Sequence, residues 1–324
     1  VISAGISYLF EGGNVMRSIQ LNNSSGVLTV FFVLLFAFQV RSGAEAAEMT
    51  GNEVHHHSMQ GMEMPGMRDG KVAVEMKTEP ASVKLGTPET ITFSIKDAEG
   101  NPAQKITPTH ERTLHVIIVS QDFTVFSHIH PEDFGPVTPA MEKAGEYAVH
   151  YIFPKAGRYL IGVDLAVNNE LISKHFAIDV AGEPRMGTPI ADSSGKKKFG
   201  DYEVTLSAKP ARIEAGKKVT LTYYFTENGK PVDDLEPYIA AEMHVAIISN
   251  DLGQFMHEHG MSSGMNASEE DMAHMMMHGG VVPAKFGPEL EVNTAFPVSG
   301  VYQIFGQVMH RGKVILTHFM VKVE

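Results

Sequence analysis

Short runs of Val, Ile, Phe, Tyr and Thr, broken by turn residues, recur along most of the chain. In the first half they cover 72–78, 90–97, 113–120, 125–130, 147–153, 158–165 and 171–180. Runs of this length and composition are strand signals. No long stretch with a 3.6-residue apolar period competes with them. The second half follows the same order, with Asn228-Gly229 as a two-residue hairpin signal. Seven short strands in about 100 residues, present twice, predict an all-β chain of two tandem immunoglobulin-like β-sandwich domains.

The two halves are copies. Adding 129 to positions 100–130 gives 229–259 without a gap. Identical pairs include Pro102/Pro231, His115/His244, Ser120/Ser249, Asp122/Asp251, Phe126/Phe255, His128/His257 and His130/His259. From Phe153 to Val180 the offset becomes 143, matching Tyr159 with Tyr302 and His175-Phe176 with His318-Phe319. The expected domains are 71–181 and 199–324, the second with an insertion at 260–285. A linker containing Gly, Pro, Ser and Lys joins them at 182–198.

Ahead of the first copy the pattern changes. The first Met is Met16, the expected true start. Arg17, an apolar run from Val27 to Val40 and Ala44-Glu45-Ala46 read as a signal peptide over 1–46. The run is shorter than the roughly 20 residues a spanning helix needs. The expectation is a periplasmic or secreted protein with no membrane association after cleavage. Residues 47–70 then form a disordered segment rich in Met and His.

Composition sharpens this. The formal net charge is −12, and the longest basic run is Lys196-Lys197-Lys198, which argues against a nucleic-acid partner. Cys is absent, which excludes disulfides, zinc–cysteine sites, iron–sulfur clusters and the His/Cys blue-copper site. Met, by contrast, numbers 19 and His 16, and a chain so rich in both asks for a chemical reason.

The histidines fall in a pattern. In the hairpin 113–130, with its turn near Asp122-Phe123, residues whose numbers sum to 245 face each other. His115 then lies opposite His130, and His128, two residues away, points to the same side. His244, His257 and His259 repeat the arrangement. Imidazoles on cross-strand neighbours are close enough to share an ion, and by ligand type they suit Cu(II), Zn(II) or Ni(II). His175 and His318 are weaker candidates on the last strands. His110, His150 and His310 have no counterpart in the other copy and read as packing or hydrogen-bonding residues.

Most of the methionines sit in two stretches. One holds His55, His56, His57, Met59, Met62, Met64 and Met67. The other holds Met261, Met265, Met272, His274, Met275, Met276, Met277 and His278. Core filling is the usual reason for Met, but these lie in polar, Gly-containing sequence that reads as mobile loop. Thioether sulfur is a soft, neutral ligand that favours Cu(I) or Ag(I), and it carries no proton for acid to compete with.

Leu114-His115-Val116 with Phe126-Ser127-His128-Ile129-His130-Pro131, and Phe286-Gly287-Pro288-Glu289 with Gly300-Val301-Tyr302, resemble exported immunoglobulin-like domains of the YtkA-like and CopC-like kind. The resemblance implies a copper-binding or copper-tolerance role but transfers no ligand set. The expected function is non-enzymatic binding of copper, with silver or zinc as alternatives, in sequestration, transfer or tolerance. The expected partners are metal ions and a copper exporter or another exported copper protein. A structural or interaction module without metal is the main alternative. Phe255-Met256-His257-Glu258-His259-Gly260 is also similar to the His-x-His strand of copper–zinc superoxide dismutases. Against that reading, the cysteine pair is missing and no bridging His or zinc-site Asp can be assigned.

Overall fold

Strand formation follows the apolar runs in both copies. The structure, a computed structural model, describes residues 72–183, 194–262 and 282–324, together with the backbone of three strands near the N-terminus. These are β1 (Ala4–Glu11), β2 (Asn14–Asn23) and β3 (Gly26–Phe31). The first repeat contains β4 (Val72–Glu79), β5 (Pro88–Asp97), β6 (Ile106–Thr107), β7 (His115–Ser120), β8 (Val125–Ile129), β9 (Glu146–Ile152), β10 (Gly157–Val167) and β11 (Glu170–Val180). The second contains β12 (Lys196–Phe199), β13 (Tyr202–Lys209), β14 (Lys218–Glu227), β15 (Lys230–Pro231), β16 (Met243–Ser249), β17 (Phe255–Ser262), β18 (Glu289–Ala295), β19 (Gly300–His310) and β20 (Lys313–Val323).

Each repeat is a two-sheet sandwich of the immunoglobulin-like kind. In the first, β4-β5-β9 packs on β11-β10-β7-β8, and β1-β2-β3 continue the second sheet beyond β8. In the second, β12-β13-β14-β18 packs on β17-β16-β19-β20, and Met261 and Ser262 at the end of β17 also pair with β18. Alternation places one set of side chains between the sheets. Ile91, Phe93 and Ile95 of β5 meet Val116 and Ile118 of β7 and Ile161 and Val163 of β10. Leu221, Tyr223 and Phe225 of β14 meet Val245 and Ile247 of β16 and Ile304 of β19.

The other faces of β7 and β16 are not solvated either. Ile117, Val119, Phe126 and Leu160 of the first repeat form one apolar cluster with Ala246, Ile248, Phe255, Phe305 and Leu316 of the second. The two sandwiches therefore pack through their His-bearing sheets, and every residue of β7 and β16 is buried. Phe126 stacks on Phe305 with ring centroids 4.6 Å apart. On the other side of the pseudo-twofold relation, Phe255 presses on Gly162, where an added Cβ would lie 2.4 Å from the ring. Glycine is required there by close approach rather than by a turn.

Three boundaries differ from the sequence reading. Lys196-Lys197-Lys198, expected to end the linker, form most of β12: they pair with residues 203–205 of β13, and Lys197 lies over the Phe319 ring. Gly260, Met261 and Ser262, expected to begin the insertion, end β17, because β18 offers a second pairing edge. Residues expected to belong to a leader carry β1–β3, and β1 pairs with β8 from Ile6 opposite His128 to Leu9 opposite Val125. Among the described residues, no helix is long and apolar enough to cross a membrane.

Candidate metal centre

The hairpin register is the one the numbering predicts. Ile117 faces His128 and Val116 faces Ile129 in the first repeat. His244 faces His259 and Ala246 faces His257 in the second. The tight turns carry left-handed residues, Phe123 at φ 56° and Leu252 at φ 61°. Asp122 and Asp251 fasten them by accepting hydrogen bonds from Ser120 and Ser249. His115, His128 and His130 therefore share one face, as do His244, His257 and His259, and packing the two sheets together brings both sets into one chamber. Ligand nitrogens of His115, His128, His244 and His257 all lie within 4.8 Å of one another.

The outer ring nitrogens fix the tautomers. A carbonyl can only accept, so a ring nitrogen bonded to one must carry the proton. His115 Nε2 donates to Thr109 O at 3.0 Å, and His244 Nε2 donates to Tyr238 O at 3.0 Å, the equivalent position. His128 Nδ1 donates to Gln307 Oε1 at 2.9 Å, and His130 Nδ1 donates to Asp133 Oδ2 at 3.1 Å. His257 Nδ1 lies 2.9 Å from Asp164 Oδ2, off the ring's N–H axis. The lone pairs left on the other nitrogens point inward. His115 Nδ1 is 3.1 Å from His128 Nε2, which is 3.1 Å from His130 Nε2. His244 Nδ1 is 3.1 Å from His259 Nε2 and 3.4 Å from His257 Nε2.

Facing lone pairs repel unless a cation lies between them. Protons are poor candidates at neutral pH. Burial, reinforced by the neighbouring imidazoles, holds His115, His128, His244 and His259 well below the ordinary histidine range. Burial also lowers His130, with Asp133 pulling the other way. A divalent ion satisfies the same lone pairs without protonation, and outer nitrogens tied to carbonyls and carboxylates are the usual orientation of metal-bound histidine. The donor set thus fits a metal that accepts imidazole, which includes Cu(II), Zn(II) and Ni(II).

Two supporting groups cross between repeats. Asp164 lies on β10 and touches His257 of the second repeat; Gln307 lies on β19 and touches His128 of the first. The 143-residue offset makes them equivalent positions. His110 also joins the chamber: its ring lies 4.1 Å from that of His259, and its Nδ1 donates to Ala240 O at 3.1 Å. His110 has no copy in the second repeat to mark it, and no spacing in the sequence points to Asp133, Asp164 or Gln307. Among the described residues, the remaining histidines serve the fold. His310 bridges Tyr202 and Asp234, His150 meets Thr90, His318 packs edge-on against Phe199, and His175 faces Gly162 across β10–β11.

Of the methionine candidates, Met261 is a partly buried strand residue opposite Glu291 and not part of a loop. His55, His56, His57, Met59, Met62, Met64, Met67, Met265, Met272, His274, Met275, Met276, Met277 and His278 lie outside the described residues.

No curated protein matches the chain. Among solved structures, a Salmonella alpha-2-macroglobulin is 10% identical with a TM-score of 0.23, over 99% of this chain and 19% of that one. The Escherichia coli adhesin FdeC is 11% identical with a TM-score of 0.21, over 96% of this chain and 75% of that one. Yersinia pseudotuberculosis InvD is 10% identical with a TM-score of 0.21, over 78% and 58%. The chain thus spans about a fifth of the macroglobulin, and scores this low carry no functional argument. A family described as a domain of unknown function (DUF8832) matches twice, at residues 67–182 and 197–324. Matched on both repeats and over more than half of its length, the chain belongs to that family.

Proposed function

We propose that this is an exported, non-enzymatic copper-binding protein that sequesters or transfers the metal through a centre built between its two repeats. The observation that carries the reading is the set of inward imidazole nitrogens of His115, His128, His244 and His257, with the outer nitrogens of at least three tied to acceptors. By ligand type this set accepts Cu(II), Zn(II) or Ni(II). Copper is preferred because the two Met/His segments add thioethers, which favour Cu(I), and because the hairpins resemble YtkA-like and CopC-like domains. The carrier would bind Cu(I) at the methionines and, as a separate site, Cu(II) at the histidines, and pass either ion in its bound oxidation state to an exporter or another exported copper protein. Export itself rests on the leader pattern at 1–46, and β1–β3, which lie within it, then belong to the chain before cleavage.

Titration separates the parts. Three proteins are compared with Cu(I) and Cu(II): the parent, a variant with Met and His of 49–67 and 263–278 replaced by Ser, and H115A/H244A. The expected result is Cu(I) binding lost in the first variant and Cu(II) binding lost in the second. If no protein binds either ion, an interaction module without metal becomes the better account.

A further inference from the structure

The six hairpin histidines form two trios, one per repeat. His128 Nε2 lies 3.1 Å from both His115 Nδ1 and His130 Nε2. His244 Nδ1 lies 3.1 Å from His259 Nε2 and 3.4 Å from His257 Nε2. Nitrogens bound tetrahedrally to one divalent ion at about 2.0–2.1 Å are about 3.3 Å apart. Two nitrogen–nitrogen edges in each trio therefore already match the spacing around one metal ion. The trios stand end to end. The ring of His130 lies edge-on or tilted against His115 and His128, and that of His259 against His244, His257 and His110, while His115 and His128 meet His244 and His257 in the middle.

Charge follows the same division. One carboxylate supports each trio: Asp133 on His130 and Asp164 on His257. The equivalent of Asp164 in the second repeat is Gln307, so that carboxylate is not a by-product of duplication. An ion in each trio would find one anion in its supporting shell.

We infer that the chamber is a binuclear centre, in which His115, His128 and His130 hold one divalent copper ion and His244, His257 and His259 hold a second. This rests on the metal-binding reading above and goes beyond it in number and in the pairing of ligands. The test uses the full chain with His55, His56, His57, His274 and His278 replaced by Ser, loaded with Cu(II) and desalted. Copper per chain is measured by mass spectrometry, and electron paramagnetic resonance is integrated on the same sample. The expected result is two ions per chain, with a resonance intensity below that of two isolated ions because neighbouring spins couple. In that background H128A/H130A and H257A/H259A, each checked for folding by circular dichroism, should each retain one ion and regain an uncoupled signal.

One ion in the background protein overturns the binuclear centre and leaves the metal-binding reading standing. No ion overturns both. Two ions retained in both folded double variants, or both ions lost from either, would overturn the assignment of one ion to each trio.

Discussion

At the residue scale, the site is a set of neutral imidazoles aimed by their outer nitrogens. The sequence showed which histidines share a hairpin face, because His-x-His spacing and the turn position determine that. The residues that aim them were hidden. Asp164 and Gln307 act across the repeat boundary and differ between copies, so identity between copies could not point to them. Supporting groups of this kind matter to affinity. D164N should weaken Cu(II) binding by about 10- to 100-fold while leaving the metal-free thermal midpoint nearly unchanged; an unaltered competition titration would exclude a supporting role. Glu258 makes a separate prediction. Burial pushes its carboxyl up to about 7, and the equivalent residue in the first repeat is Ile129, in the apolar core. The folded chain then holds a proton that the unfolded chain releases, so its contribution to stability falls as pH rises from about 4.5 to about 7. E258I should therefore raise the metal-free thermal midpoint more at pH 8 than at pH 5, and an equal gain at both would show that titration is not the cause.

At the element scale, the strands were legible because each is a short β-branched or aromatic run between turn signals. The Asn228-Gly229 hairpin formed as expected, with both residues at positive φ and Glu227 facing Lys230. The misses have local causes. Three lysines in a row look like linker, yet alternation lets Lys197 turn inward over Phe319 while its neighbours face solvent. The end of β17 was misplaced because a Gly and a Met beside a polar insertion carry no strand preference. Gly162 was also unreadable, since its need arises from Phe255 of the other repeat. G162A should drive a methyl into that ring and destabilise the chain by about 1–3 kcal/mol, measured by urea unfolding. A change near zero would mean that the two sheets do not pack as closely as described.

At the scale of the whole molecule, duplication was plain in the sequence but pairing of the copies was not. One signal for pairing was available: Val116-Ile117-Ile118-Val119 and Val245-Ala246-Ile247-Ile248 are apolar on both faces, as strands covered on both sides should be. Pairing turns two half-sites into one chamber, which makes metal binding a property of both domains together. The buried histidines stay neutral in the fold but take protons near pH 6.5 when unfolded. Below that pH the unfolded chain binds more protons, so metal-free stability should fall as pH drops from 7.5 to 5, read from urea midpoints. H115Q/H244Q should flatten that slope. Metal at about 100 times its dissociation constant should stabilise the parent by about 2.7 kcal/mol, in a single transition for both repeats.

The most direct test of an interdomain metal centre is anomalous scattering at the copper edge from crystals grown with Cu(II). Density peaks within bonding distance of the inward nitrogens of His115, His128, His244 and His257 are the predicted result. A well-ordered chamber without a copper peak, in crystals that show copper bound elsewhere, would contradict it.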